Sequence, residues 1–167
     1  LVERFLFYEV FCMREAAMDY GKYMRRALAL AKQAAAVGEV PVGAVLVSGG
    51  EIVAEAVNST EAQGSALAHA ELLVLQSAAV KLRRRYFSDC TLFVTMEPCP
   101  MCAGAIVLAR VGTVVYGCPD SRWGGCGSIF NVPEHKQSGF KPQLVGGVCD
   151  EECRELLQTF FRQRRAE

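Results

Sequence analysis

The chain has 167 residues, enough for one compact domain with its own hydrophobic core. It is 51% hydrophobic and 22% charged, and its formal net charge is zero, so no global field draws it onto nucleic acid or an acidic membrane. No apolar run reaches transmembrane length, so a membrane partner is not expected. Residues 1–17, LVERFLFYEVFCMREAA, are apolar but broken by Glu3, Arg4, Glu9, Arg14 and Glu15. They lack the basic start and clean apolar run of a signal peptide. The stretch reads either as an upstream artefact before a start at Met13 or Met18, or as an amphipathic extension. The domain is taken as 18–167. Eight cysteines in a chain with no sign of secretion read as reduced thiols in the cytoplasm.

Residues 20–37 carry apolar positions at helical spacing, and Gly38 is a natural stop. VPVGAVLV (40–47) and IVAEAV (52–57) read as strands joined by the turn SGGE, hence a hairpin. Residues 58–66 read as a polar loop, and 67–80 as a helix. CTLFVTM (90–96) is a buried strand, and Pro100 suits the first turn of a helix reaching about Ala109. A strand at 111–117, a Gly-rich loop at 118–128 with a short helical turn near 128–131, a strand at 141–147 and a helix at 150–165 complete the chain. A hairpin followed by alternating helix and strand predicts parallel pairing with helices on both faces, a three-layer α/β/α domain.

The chemistry gathers in two places. Cys99 and Cys102, in MEPCPMCAG, are spaced i, i+3 at the start of a helix. The helix N-terminus favours thiolate over thiol. Taken alone, the pair is half a structural zinc site or a redox couple. A structural site wants four protein ligands, and no second Cys-x-x-Cys exists; Cys149 and Cys153 have the wrong spacing and read as helix residues. The nearest sensible third ligand is His69, in LAHAELLVLQ. Three ligands with an open fourth position is the catalytic pattern. Residues two apart in a helix point about 200° apart, so His69 and Glu71 can serve one site only over the helix end. Glu71 then lies beside the water, off the metal. The bland alternative makes His69 a satisfied core residue and the cysteines small buried hydrophobes. His-x-Glu followed by Pro-Cys-x-x-Cys is far more specific than either half.

At these residues the chain resembles the zinc-dependent cytidine deaminase superfamily, and within it the bacterial tRNA adenosine deaminases. The likeness spans nearly all of 20–165, through EVPVGAVLV, Asn58, AHAE, TMEPCPMCAGA, Asp120, Gly127-Ser128 and FFRQRR. It implies a five-stranded mixed sheet, a homodimer, and conversion of adenosine to inosine at the wobble position of a tRNA anticodon stem-loop, with an arginine tRNA as the expected substrate. It implies that His69, Cys99 and Cys102 hold one zinc per subunit and that Glu71 shuttles protons. Asn58 would hydrogen-bond the flipped purine. Asp120 would lie in the loop contacting the flanking nucleotide, and Phe161 and Arg162 in a helix bordering the RNA loop. Val42 and Ala70 would wall the substrate pocket and help raise the pKa of Glu71. Arg164, Arg165 and the run Lys81–Arg85 could add phosphate contacts, or be solvated helix faces.

Two departures stand out. The family usually has Asp-Pro-Thr before Ala-His-Ala-Glu; here it is Ser65-Ala66-Leu67. Trp123 stands where a smaller residue is common, and could stack on a base or cover a dimer seam. Cys90 reads as packing, Cys118 and Cys126 as pocket or loop residues, and His135 as a surface residue able to touch RNA. Rival readings are a deaminase of free bases or nucleotides (guanine, cytosine or dCMP), a zinc-stabilised binding module, and the active half of a heterodimer.

Overall fold

The computed structural model describes residues 18–166. The expectations for residues 1–17 lie outside them. Helix α1 (Tyr20–Ala36) starts at Asp19, whose carboxylate accepts the Lys22 N–H at 3.0 Å. It buries Tyr23, Met24, Ala27, Leu28, Ala31 and Ala34 at helical spacing. The chain turns at Gly38 (φ 82°) into β1 (Gly43–Ser48) and β2 (Glu51–Val57). Gly49 and Gly50 both take positive φ at the hairpin tip, where a side chain would be strained.

A short helix α2 (Thr60–Gln63) occupies the segment expected to be loop. Then come α3 (Ala70–Leu82), β3 (Cys90–Met96), α4 (Pro100–Leu108), β4 (Thr113–Cys118), β5 (Gln143–Gly146) and α5 (Asp150–Arg164). Helix α3 begins three residues later than its composition suggests. Ala68 N–H bonds Ser65 O at 3.1 Å and His69 N–H bonds Leu67 O at 2.8 Å, so a turn takes up the first residues.

The sheet order is β2-β1-β3-β4-β5. β1 pairs antiparallel with β2 and β3, while β3–β4 and β4–β5 are parallel. This is the expected five-stranded mixed sheet. Alternate strand residues face opposite layers. Ala44, Leu46, Leu92, Val94 and Val114 pack with Val74, Leu75 and Ala78 of α3 and Ile106 of α4. Val45, Val47, Phe93 and Val115 pack with α1 and with Cys153 and Leu157 of α5. Three layers result, as expected.

Residues 119–142 cross from β4 to β5 as a loop, which the Gly-rich stretch 118–128 predicts in part; one sequence expectation within it is corrected. The helical turn expected near 128–131 is a tight hairpin-like turn, with a bridge between Cys126 and Asn131. The cause is Glu97, whose carboxylate takes the Cys126 and Ser128 N–H groups, each at 3.0 Å, and so removes them from helical bonding.

Candidate active site and metal centre

Strand β3 runs to Met96, and its carboxyl end delivers Glu97-Pro98-Cys99 to the start of α4. That is where open α/β sheets place their ligands. Cys99 is the N-cap of α4, with extended backbone (φ −68°, ψ 169°), and Pro100 opens the helix. Cys102 follows on the first turn and is buried. Opposite stands the N-terminus of α3. His69 is its N-cap (φ −74°, ψ 146°) and makes no capping bond, so its ring is free to face α4.

The ligand atoms of His69, Cys99 and Cys102 all lie within 4.8 Å of one another. His69 Nδ1 is 3.7 Å from Cys99 Sγ and 3.5 Å from Cys102 Sγ. Two thiols and an imidazole at such spacing are the soft donor set that suits zinc. Among the described residues, no other group of three His, Cys, Asp or Glu side chains converges in this way.

The electrostatics favour thiolate at Cys99. The Cys99 thiol is drawn down to about 4 by its hydrogen bond from Cys102, with further help from His69 and the Cys102 backbone N–H. The Cys102 thiol is pushed the other way, first by that same bond and then by burial. His69 is raised, chiefly by its hydrogen bond with Cys99. A cation binding here displaces the remaining protons, so its affinity rises with pH.

Glu71 lies on the first turn of α3 and is only 4% exposed. Burial pushes its carboxyl above the ordinary glutamate range, against its own backbone N–H and the neighbouring His69. A carboxyl so raised suits proton transfer in both directions near neutrality. Ala70, the first residue of α3, and Val42, just before β1, are buried in the same core cluster.

Asn58 follows β2 and is buried. Ser59 N–H bonds Ala68 O at 2.9 Å, which holds this corner against the residue before His69. The Asn58 side-chain amide donates to Glu39 Oε2 and to Thr60 Oγ1, each at 3.1 Å. Glu39 also accepts the Glu61 and Ala62 N–H groups, capping α2 from a distance because Ser59 makes no side-chain cap.

Asp120 donates its N–H to Glu97 Oε2 at 3.1 Å, and its own carboxylate accepts the Arg122 N–H at 2.9 Å. Glu97 also bonds the Ser128 hydroxyl. The loop is thereby tied to the residue two before Cys99. Gly124 and Gly125 complete the seal: a Cβ on Gly125 would lie 2.7 Å from the Cys99 carbonyl carbon. Phe161 and Arg162 of α5 line an open cavity of about 480 Å³ together with Arg122, Leu157, Gln158 and Arg165.

Other candidates stand apart. Arg83 to Arg85 sit at the far end of α3, roughly 20 Å from His69 by helix length, and Arg84 is paired with Asp89 at 2.8 Å. Burial pushes the Cys118 thiol to about 11 and the Cys126 thiol to about 12, so both stay protonated at neutral pH. Cys90 is buried in the core beside α3, and His135 is exposed. Glu39 and Glu97 are positioning residues that sequence reasoning passed over. Their one signal was a lone acid at the end of an apolar segment.

The model of the MafB19-like deaminase family matches residues 18–165. The chain is 46% identical over 143 residues to the tRNA-specific adenosine deaminase of Bacillus subtilis, covering 86% of this chain and 89% of that protein. The chain belongs to the tRNA-specific adenosine deaminase family. The enzyme of that name from Haemophilus influenzae is 42% identical over 147 residues, 87% of this chain and 85% of the other. Among solved structures, one described under A-to-I editing by tRNA:A34 deaminases at the wobble position superposes with a TM-score of 0.79 at 34% identity. It covers 81% of this chain and 99% of that one. This deaminase therefore carries its His/Cys/Cys cluster within a cytidine deaminase-like fold. No helix among the described residues is long and apolar enough to cross a membrane.

Proposed function

We propose that this deaminase converts adenosine to inosine at the wobble position of a tRNA anticodon loop, with an arginine tRNA as the expected substrate. The observation that carries the reading is the convergence of His69, Cys99 and Cys102 at two facing helix ends, with buried Glu71 beside them on the first turn of α3. The donor set fits zinc, one per subunit. Zinc at a three-ligand site supplies Lewis acidity and a water activated near neutral pH.

The chain's own residues do the rest. Glu71 accepts a proton from the attacking water and delivers it to ring nitrogen N1 as oxygen bonds C6. It then carries the second proton to the amino nitrogen. The C6–N6 bond breaks, ammonia leaves, and the C6 oxygen remains as the carbonyl of inosine. A carboxyl raised by burial supports both transfers. Asn58, held by Glu39 and Thr60, orients the purine, and Ala70 and Val42 exclude water from its face. Asp120 shapes the loop that meets the neighbouring nucleotide, and Phe161 and Arg162 border the RNA.

An anticodon loop already presents unpaired bases, so extruding one costs little. Local arginines then replace the missing global charge. The protein is expected to work as a cytoplasmic homodimer. The test is ammonia release from anticodon stem-loops carrying adenosine at the wobble position, against free adenine, guanine, cytosine and dCMP. Turnover of the hairpin alone supports the reading. Turnover of a free base or nucleotide alone transfers the site to a small-molecule deaminase.

A further inference from the structure

Glu97 is only 2% exposed. A carboxylate so buried is costly unless donors meet it, and here each oxygen meets two. One accepts the Cys126 and Ser128 N–H groups, each at 3.0 Å. The other accepts the Asp120 N–H at 3.1 Å and the Ser128 hydroxyl. The Glu97 N–H bonds Cys118 O at 2.9 Å, which fixes where the loop leaves β4.

The next two residues grip the same loop. Pro98 O accepts the Gly125 N–H at 2.7 Å. Gly125 lies so close to Cys99 that a Cβ there would stand 2.9 Å from the Cys99 carbonyl oxygen. Gly124 sits against the Glu97 carboxylate, leaving 2.5 Å for a Cβ. Three successive residues thus hold the loop, and the third of them carries a converging thiol of the metal site. Between residues 119 and 131 the loop has no helix or strand of its own beyond the single Cys126–Asn131 bridge. Its shape therefore depends on what Glu97 and Pro98 hold.

We propose that Glu97 is a positioning residue that couples the metal centre to the substrate loop. It holds Cys99 and Asp120 as one unit, so that freeing the loop loosens the bound zinc and misplaces Asp120 together. This rests on the zinc and tRNA readings above.

A glutamine exposes the coupling with little change of shape. Both oxygens of the carboxylate accept, whereas an amide keeps one acceptor and turns donors outward from its nitrogen. With the amide oxygen facing Cys126 and Ser128, the amide nitrogen opposes the Asp120 N–H, donor against donor. Glu97→Gln therefore frees the loop at Asp120 and keeps its far end. His69, Cys99 and Cys102 are untouched, so the variant still takes up zinc.

The test challenges the zinc-loaded full chain with excess chelator, following zinc release alongside hydrogen exchange of residues 118–131. Glu97→Gln is expected to bind one zinc per chain and to release it roughly 5- to 150-fold faster than the parent. Exchange in the loop accelerates, while β1 exchanges as before. KM for an anticodon hairpin rises more than kcat falls. Ser128→Ala removes one bond at the loop end and leaves residues 97–102 intact; it speeds both release and exchange, by less. A merely structural role would lower the unfolding midpoint without changing zinc release from the folded protein. Parent-like zinc release in Glu97→Gln, faster loop exchange without faster release, or a parent KM overturns the proposal. Where Glu97→Gln fails to fold, Ser128→Ala decides: faster release with faster exchange supports the coupling, and parent rates overturn it. A parent chain that takes up no zinc removes the metal reading and the coupling together. Absence of inosine with the parent protein counts instead against the tRNA reading, and release and exchange still decide the role of Glu97.

Discussion

Glu39 holds the side chain of Asn58: the Asn58 amide donates to Glu39 Oε2 at 3.1 Å, and both residues are buried. The same carboxylate accepts two N–H groups of α2 and the Thr60 hydroxyl. Glu39→Ala leaves these donors without an acceptor. We expect a loss of about 2–3 kcal/mol in urea denaturation, together with a raised KM for RNA as Asn58 loses its orientation. A variant with the parent stability and KM would contradict this role.

The pH dependence of that contribution has a definite sign. Burial pushes Glu39 up, but the bonds from Ala62, Glu61, Thr60 and Asn58 outweigh it and leave its pKa below the ordinary glutamate value. A lowered folded-state pKa stabilises the fold above the unfolded pKa of about 4.3, and that stability is lost as pH falls through the folded value. The gap in urea midpoint between parent and Glu39→Gln is therefore widest near neutrality and narrows below about pH 4. A gap that stays constant down to pH 3 would show that charge is not what Glu39 contributes.

Gly125 is fixed by the Cys99–Pro100 backbone it covers. A Cβ there would come within 2.7 Å of the Cys99 carbonyl carbon and the Pro100 nitrogen, both backbone atoms that cannot step aside. Gly125→Ala is expected to cost about 1–3 kcal/mol and to weaken zinc retention against a chelator. Gly104, on α4 itself, has nothing within 4 Å of its Cβ position. Gly104→Ala should be neutral or stabilising by up to about 1 kcal/mol. Equal effects at the two glycines would remove the argument.

Much of this was legible in the sequence because periodicity and punctuation report burial directly. The hairpin 40–57, the buried strand 90–96 and the start of α4 follow from β-branched runs, Gly49-Gly50 and Pro100. Residues 119–142 were not legible, because their shape depends on one distant carboxylate. Glu97 reads in sequence as the end of a strand, and only its bonds to Asp120, Cys126 and Ser128 reveal that it builds the loop. Helix α2 was hidden for the same reason, since its cap, Glu39, is 21 residues before Thr60. His69, Glu71, Cys99 and Cys102 stood out because their side-chain types at those spacings conflict with any purely apolar helix start. The docking of Arg122 with Arg162 and Arg165 joins segments that share no local pattern.

Glu71→Ala separates chemistry from metal binding. Glu71 is buried beside the cluster, whereas His69, Cys99 and Cys102 provide the converging ligand atoms. Zinc content measured by mass spectrometry should match the parent, while deamination falls by about 10²- to 10⁴-fold. His69→Ala should lose both. Loss of zinc in Glu71→Ala would place the carboxylate on the metal, and full activity would remove it from the reaction.

The most direct measurement is incubation of the zinc-loaded protein with total tRNA, followed by sequencing for inosine. The account predicts new inosine at the wobble adenosine of one anticodon, abolished by Glu71→Ala and by chelation. No new inosine in any tRNA, with ammonia released from a free base or nucleotide instead, would contradict it.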